Sequence, residues 1–420
     1  MALTSLFSCA ILCLKKAKDF CEVAHTTKGD FLMNLTLPLA THIRIDDVGW
    51  IDGRDMRYFG RPSSTGIPRN HHPLDVRVVN EIGKALNSHI HCNMVIGEWD
   101  KYNRLRGVPH VTWDEAGWNA AGKLDMKLAE AYFDELEASE YIDFGLHGLM
   151  HGYYVNGKQK TEAHHYPFAR EFERGEADSP ALPIEEFELL VDLFFKIYDD
   201  WGFKKPVISF GSPNGSYGTP TDDYNLAMAR VIHARGIRSW KWAWPKVDRI
   251  DTCSGIACMT SIEMAPWNAY DIDPEYLPFT FENPNTRRCP DICCHWPNFL
   301  RYNPENNLER VEKWKNYFLR ITSPFGMMLA HDVNEAASQT FYSKYAAVDA
   351  ADGGYRIDLS AVDKVDSELV ANDFFVSLKN TEKLSACIGG TAALYDARAD
   401  HSVYKITRDK DISIVSLKIV

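Results

Sequence analysis

Between about residues 40 and 335, the sequence alternates short apolar runs with helix-length amphipathic segments. This alternation is typical of βα units, in which successive strands lie parallel in one sheet. It predicts an α/β fold for this part of the chain. The expected strands are 42–45, 91–96, 141–146, 207–210, 237–242 and 326–330. The expected helices are 73–89, 115–139, 184–201, 219–235 and 308–321.

Two other parts of the chain have a different pattern. Residues 251–305 are rich in Pro, Asn and Cys, which predicts a long irregular insertion over the active face. Beyond about residue 340, short strand-like runs are separated by Asp, Lys, Asn and Gly, with few helical patterns between them. These runs predict a small β-rich domain such as a sandwich. They are 355–359, 374–378, 391–395, 403–407 and 412–417.

Charge and cysteine usage limit the possible partners and compartment. The net charge of −12 argues against nucleic acid, because phosphate contacts need clustered Lys and Arg. The ten cysteines form no regular framework, which favours reduced thiols and a cytoplasmic rather than a secreted protein. The apolar run from Leu3 to Leu14 is too short to span a bilayer, and it lacks the flanking residues of a signal peptide. We therefore expect no integral membrane span.

Acids and imidazoles follow three of the apolar runs. Asp46 and Asp47 follow the first run, His147 and His151 follow the third, and His331 follows the last. In parallel α/β folds the carboxyl ends of strands carry the active site. Adjacent acids on an extended backbone point in opposite directions, so one can bind a metal while the other acts as a base. The alternatives are a strand-ending turn for the acids and surface positions for the histidines.

The pair of histidines has the spacing of one helical turn. If the chain turns helical after the third run, both imidazoles lie on one side and can bind one ion. The histidine that follows the last run has an ordinary pKa near neutrality, which suits it to protonate a leaving group. Together these residues predict a mononuclear metal hydrolase.

The order of these motifs resembles the polysaccharide deacetylase superfamily, which includes carbohydrate esterase family four. The matching segments are Ile45-Asp46-Asp47, His147-x3-His151, the loop around Pro213 and Leu329-x-His331. The resemblance covers about residues 40 to 335. It implies a distorted (β/α)7 barrel with one divalent metal ion, usually zinc. The resulting division is a leader or extension over 1–39, a barrel over 40–340 and a C-terminal β-rich domain over 341–420.

The resemblance also implies roles for single residues. Asp47, His147 and His151 would bind the metal, and Asp46 would act as the general base. His331 would be the general acid, and the backbone N–H of Asn214 would stabilise the oxyanion. His295 and Trp296 are further candidates, because their segment could reach the substrate cleft.

One position departs from the family pattern. The family has an Arg two residues before the motif Pro, paired with the base, and this chain has Gly211 there. Arg44, Arg238 and Lys241 are the candidates to hold Asp46 instead. The sequence predicts a metal-dependent deacetylase acting on a carbohydrate. The alternatives are hydrolysis of a non-acetyl C–N bond in a small molecule, or an inactive barrel that binds carbohydrate.

Overall fold

A computed structural model describes residues 33–49, 67, 69, 71–161, 182–213, 218–243, 247–264, 269–277 and 289–420. The apolar N-terminal run lies outside these ranges. Residues Leu35–Val420 form one compact unit. Within the described residues, no helix has the length and apolar character needed to cross a membrane.

The helices are α1 Pro73–Leu86, α2 Met126–Ala138, α3 Ile184–Trp201, α4 Asp223–Ala234, α5 Val311–Thr322 and α6 Val333–Tyr345. Short 3-10 turns span Gly97–Trp99, Pro274–Tyr276, Trp296–Phe299, Pro304–Arg310 and Val362–Lys364.

Parallel strands form a closed barrel. The strands up to α6 are β1 Leu35–Thr36, β2 Leu39–Val48, β3 Ile90–Met94, β4 Ile142–Leu146, β5 Tyr153–Val155, β6 Lys158–Thr161, β7 Val207–Phe210, β8 Ser239–Ala243, β9 Ile250–Cys253, β10 Ile256–Glu263, β11 Asp291–His295 and β12 Met327–Leu329. The ring runs β2-β3-β4-β7-β8-β10-β11, and β11 pairs with β2 to close it. The predicted α/β class and seven-stranded barrel are confirmed.

The barrel closes through a segment that the sequence predicted to be irregular. Within 251–305, β10 and β11 are regular strands of the ring, so that prediction is wrong for these residues. β11 pairs with His42–Asp46, the carboxyl-terminal half of β2. β12 pairs only with Leu39–Thr41, the beginning of the same strand. The predicted last strand, β12, is therefore not one of the seven ring strands. It extends the sheet at the amino-terminal end of the barrel.

The two faces of the barrel strands differ in chemistry. In β2, Ile43 and Ile45 belong to the large apolar core and are fully buried beside the helices. The alternate residues His42, Arg44 and Asp46 are equally buried but make polar contacts inside the ring. Burial lowers the pKa of His42, so its imidazole is neutral near pH 7. The barrel interior is thus a hydrogen-bonded polar network that supports the site above it.

Gly145 in β4 faces this interior. A Cβ atom there would collide with the side chains of Asn93, His91 and Ser209. We expect Gly145→Ala to lower the free energy of unfolding by about 1–3 kcal/mol, because the packed interior cannot admit another carbon. Denaturant unfolding monitored by circular dichroism measures this change. Ser239→Ala is the matched control, since the buried Ser239 hydroxyl has no hydrogen-bond partner among the described residues. Equal stability of both variants would contradict the expectation.

Antiparallel sheets follow the barrel. Their strands are β13 Ala347–Ala351, β14 Gly354–Asp358, β15 Asp373–Lys379, β16 Leu384–Ile388, β17 Gly390–Ala397, β18 His401–Arg408 and β19 Ile414–Ile419. One four-stranded sheet has the order β1-β15-β18-β17, and the other has the order β13-β14-β19-β16. Phe374, Ile406 and Leu417 are among the residues of their shared apolar core. The C-terminal β structure is confirmed, whereas the domain boundary near residue 340 stays a prediction.

Candidate metal centre

The two adjacent carboxylates lie at the carboxyl end of β2, where the backbone leaves regular geometry. Asp47 has a left-handed φ of 61°, and the pairing of β2 with β3 is irregular between Ile45 and Val48. The extended backbone on which the expected opposite directions of the two acids rest therefore does not continue through Asp47. The left-handed turn brings both carboxylates to the same end of the barrel. Backbone strain of this kind is found often at functional sites.

His147 and His151 lie in the loop after β4, and this loop is not helical. Gly148 has a φ of 103° and His151 a φ of 52°, so two left-handed residues turn the chain. The loop is fixed by backbone hydrogen bonds from Ile96 to Gly148 and from Gly97 to Leu149. The two imidazole centroids are 4.9 Å apart. The predicted pair of imidazoles exists, but the loop and not a helix brings the rings together.

Asp47 faces both imidazoles. Its Oδ1 atom lies 3.2 Å from His147 Nε2 and 3.0 Å from His151 Nε2. Ligands of a tetrahedral zinc ion, with bonds of about 2.0–2.1 Å, are separated by about 3.3 Å. The three side chains thus have the spacing of ligands that share one ion.

The outer hydrogen bond of His147 agrees with this fit. Its Nδ1–H donates to the Gly211 carbonyl oxygen, which can only accept. This contact leaves Nε2 of the same ring to face Asp47 Oδ1, a buried oxygen 3.2 Å away. Either a proton or a metal cation can join these two atoms, and His151 Nε2 faces the same oxygen from 3.0 Å, as a second ligand of one ion would. A metal-binding His commonly donates its other ring N–H to a carbonyl or carboxylate, as His147 does to Gly211. The residues therefore fit a divalent metal ion.

Asp46 is held from two sides by charged and polar groups. Its Oδ2 atom lies 2.8 Å from Lys241 Nζ, and its Oδ1 atom accepts a 2.7 Å hydrogen bond from Asn93. Arg44 Nε is 3.6 Å from Oδ1 and only 3.1 Å from Asp291. Burial opposes ionisation of Asp46, but Arg44 and Lys241 outweigh it and hold its pKa well below the usual value.

These contacts show which of the three basic candidates holds Asp46. Of the three candidates, Lys241 makes the shortest contact with Asp46 and Arg44 a longer one. Arg238 lies elsewhere and pairs with Glu368 at 2.8 Å. A Cβ at Gly211 would collide with Asn93 and lie 3.1 Å from Arg44 Nη1. The space beside Gly211 is thus filled by groups from other strands.

His295 ends β11 and faces the same centre. Its Nε2 atom is 3.9 Å from Asp47 Oδ2, and its Nδ1 atom is 3.5 Å from Glu263 Oε2. Asp46, Cys293 and His295 form a second group with metal-ligand spacing. The ammonium of Lys241 already contacts Asp46 and lies 3.4 Å from Cys293 Sγ. A second cation would have to displace it, so the first group is the better metal site.

The structure does not bring His331 to this centre. β12 pairs with the beginning of β2, and the backbone N–H of His89, just before β3, donates to the His331 carbonyl. About five residues of β2, or roughly 16 Å, separate this level from Asp46. The predicted role of His331 as general acid is therefore wrong. The imidazole at the carboxyl end of the last ring strand belongs to His295.

Trp296 and Asn214 were also predicted to contact the substrate. Trp296 is fully buried, and its indole N–H points at His71 Nδ1, 3.3 Å away. Because it follows His295 on extended backbone, it faces the helices when His295 faces the barrel. Its predicted substrate contact is wrong. Asn214 lies outside the described residues, so its oxyanion role stays a prediction.

Comparisons with known proteins add little to this geometry. Neither a known family model nor a curated protein sequence matches the chain. One similar solved structure is that of Agd3, a carbohydrate deacetylase, with 11% identity and a TM-score of 0.40. The match covers 92% of this chain and 66% of that chain, slightly less than two thirds of its length. A similarity this low carries no argument about activity, which rests on the site itself.

Proposed function

We propose that this protein is a divalent-metal-dependent hydrolase that removes N- or O-linked acetyl groups from a carbohydrate. The observation that carries the proposal is the convergence of Asp47, His147 and His151 beside a second buried carboxylate, Asp46. A metal ion that activates water, with an anionic base beside it, can hydrolyse an amide or ester. The acetyl and carbohydrate parts of the proposal rest on the motif resemblance.

Three ligands would hold the ion, with zinc as the proposed metal. One carboxylate and two imidazoles suit zinc, although the same donor set also binds iron(II). When bound, such an ion polarises a carbonyl group and makes water a stronger acid.

The neighbouring side chains would move the protons. Asp46 is buried and anionic, so it can accept a proton from the attacking water. Lys241 and Asn93 fix its orientation through contacts of 2.8 and 2.7 Å. His295 would donate the proton to the departing amine or alcohol, and Glu263 would orient its ring. In this proposal His295 takes the acid role that the sequence motif suggested for His331.

A second candidate is hydrolysis of a non-acetyl C–N bond in a small molecule. The observation in its favour is Gly211, which lacks the side chain of the family motif. Lys241 supplies a positive charge beside Asp46, so the absence of that Arg does not leave the base unpaired. The two candidates differ in substrate and share the same metal and base.

Product release from a substrate panel tests the proposal. Metal-loaded protein is incubated with N-acetylated and O-acetylated sugar oligomers, and with small cyclic amides and imides. We expect acetate release from a sugar, and its loss in His147→Ala. Turnover of the cyclic amides alone would favour the second candidate. No turnover of any substrate by protein with a full metal site would count against a hydrolase, and the inactive binding barrel would then be the better explanation.

A further inference from the structure

At the amino-terminal end of the barrel, His89 and His331 form a second pair of adjacent imidazoles. Their ring centroids are 5.0 Å apart with an interplanar angle of 58°. The corresponding values for His147 and His151 in the candidate metal centre are 4.9 Å and 48°. The two pairs therefore have similar centroid distances and ring tilts.

Hydrogen bonds fix the tautomers of both rings. His331 Nδ1 lies 3.0 Å from the Asn87 carbonyl oxygen, which can only accept, so this nitrogen carries the proton. His89 Nδ1 lies 3.0 Å from the carboxylate of Asp143, an acceptor by the same argument. In both neutral rings, Nε2 is then the atom with the free lone pair. A carboxylate or carbonyl on the far nitrogen is the usual outer partner of a metal-binding His.

The pair is rigid and accessible. The backbone N–H of His89 donates to the His331 carbonyl at 2.7 Å, which joins the start of β3 to the end of β12. The His331 N–H donates in turn to Glu335 in α6 at 2.8 Å. Both side chains are partly exposed, so an ion can reach them and complete its coordination with water.

We propose that His89 and His331 form a second, surface metal site for a borderline transition ion such as Zn²⁺, Ni²⁺ or Cu²⁺. These ions prefer imidazole ligands, whereas Mg²⁺ and Ca²⁺ prefer oxygen. Two protein ligands make this site weaker than the centre at Asp47, His147 and His151. The site lies at the opposite end of the barrel and does not depend on the proposed hydrolase function.

Metal titration of chelator-stripped, tag-free protein tests this site. Isothermal calorimetry with Ni²⁺ or Zn²⁺ should resolve two equivalents in the unaltered protein. His331→Ala and His89→Ala should each weaken the second equivalent by at least about tenfold and leave the first intact. His233→Ala is the matched control, because His233 is also partly exposed and lies 3.8 Å from a carboxylate, Glu368. It should leave both equivalents unchanged.

Spectroscopy distinguishes the loss of a metal ligand from the loss of the fold, because it counts the nitrogen ligands of the bound ion. In a His147→Ala/His151→Ala background, Cu²⁺ bound at the surface site should show two nitrogen ligands by electron paramagnetic resonance, and one after His331→Ala. Asp143→Ala should weaken binding by about 10–100-fold, since it removes the outer partner of His89. A single equivalent that His331→Ala and His89→Ala leave intact, or two equivalents in both of these variants, would overturn the proposal.

Discussion

Asp46→Asn is expected to lower kcat by about 10²–10⁴-fold without loss of the bound metal. The amide keeps the size of the carboxylate and its hydrogen bond with Asn93, but it cannot accept a proton from water. Metal content is expected to stay at one equivalent, because Asp46 is not one of the three facing ligands. Steady-state kinetics on the substrate found in the panel, together with elemental analysis, measure both quantities.

The neighbouring acid supplies the matched control. Asp47→Asn removes the anionic ligand between His147 and His151, so it should lose both metal and activity. The two substitutions change adjacent residues by the same chemistry. Asp46→Asn also removes the buried counter-charge of Lys241, so circular dichroism must confirm that both variants are folded. If Asp46→Asn lost the metal while Asp47→Asn kept it, the two assignments would be reversed.

Lys241→Met is expected to destabilise the protein by about 3–5 kcal/mol, the cost of removing one partner of a buried ion pair. Two ion pairs lie inside the barrel, Lys241 with Asp46 at 2.8 Å and Arg44 with Asp291 at 3.1 Å, and Lys241 also lies 3.2 Å from the half-exposed Glu263. Without Lys241, one carboxylate inside the barrel lacks a counter-charge. Denaturant unfolding of stripped protein measures the loss, and Lys241→Arg should retain most of the stability.

A double variant separates charge balance from packing. In Lys241→Met/Asp46→Asn both members of the pair become neutral, so most of the lost stability should return while activity stays absent. If the double variant is as unstable as Lys241→Met, packing of the lysine side chain and not its charge stabilises the barrel. A Lys241→Met protein as stable as the unaltered one would show that Arg44 alone satisfies Asp46.

The sequence predicted the first five strands of the ring because each is an apolar run next to a helix with a clear periodic face. In α3, for example, Phe187, Val191 and Phe194 are all buried as the pattern required. It missed β10 and β11 because the sequence around them is rich in Pro, Asn and Cys and has no helical pattern between the two runs. Cys293 and His295 face the polar interior, so β11 lacks the continuous apolar run of a strand buried on both faces.

Local sequence motifs identified the residues that converge at the metal centre. They did not locate the residues whose position in the barrel depends on which strands pair. Asp47, His147 and His151 came from two short motifs. The position of His331 depended on which half of β2 its strand joins, and no local pattern carries that information. Lys241 was one of three possible partners of Asp46, and only the closed ring selects among them. Glu263 gave no sequence signal, since one acid at a strand end is common.

Metal analysis of purified protein tests the central claim most directly. We predict one tightly bound divalent ion per chain in the unaltered protein after removal of weakly held metal. In the His147→Ala/His151→Ala variant we predict less than a tenth of that occupancy, with folding confirmed by circular dichroism. Since the imidazoles supply two of the three ligands, they cannot be removed without loss of the ion. Full occupancy in the double variant would contradict the assignment of the metal centre.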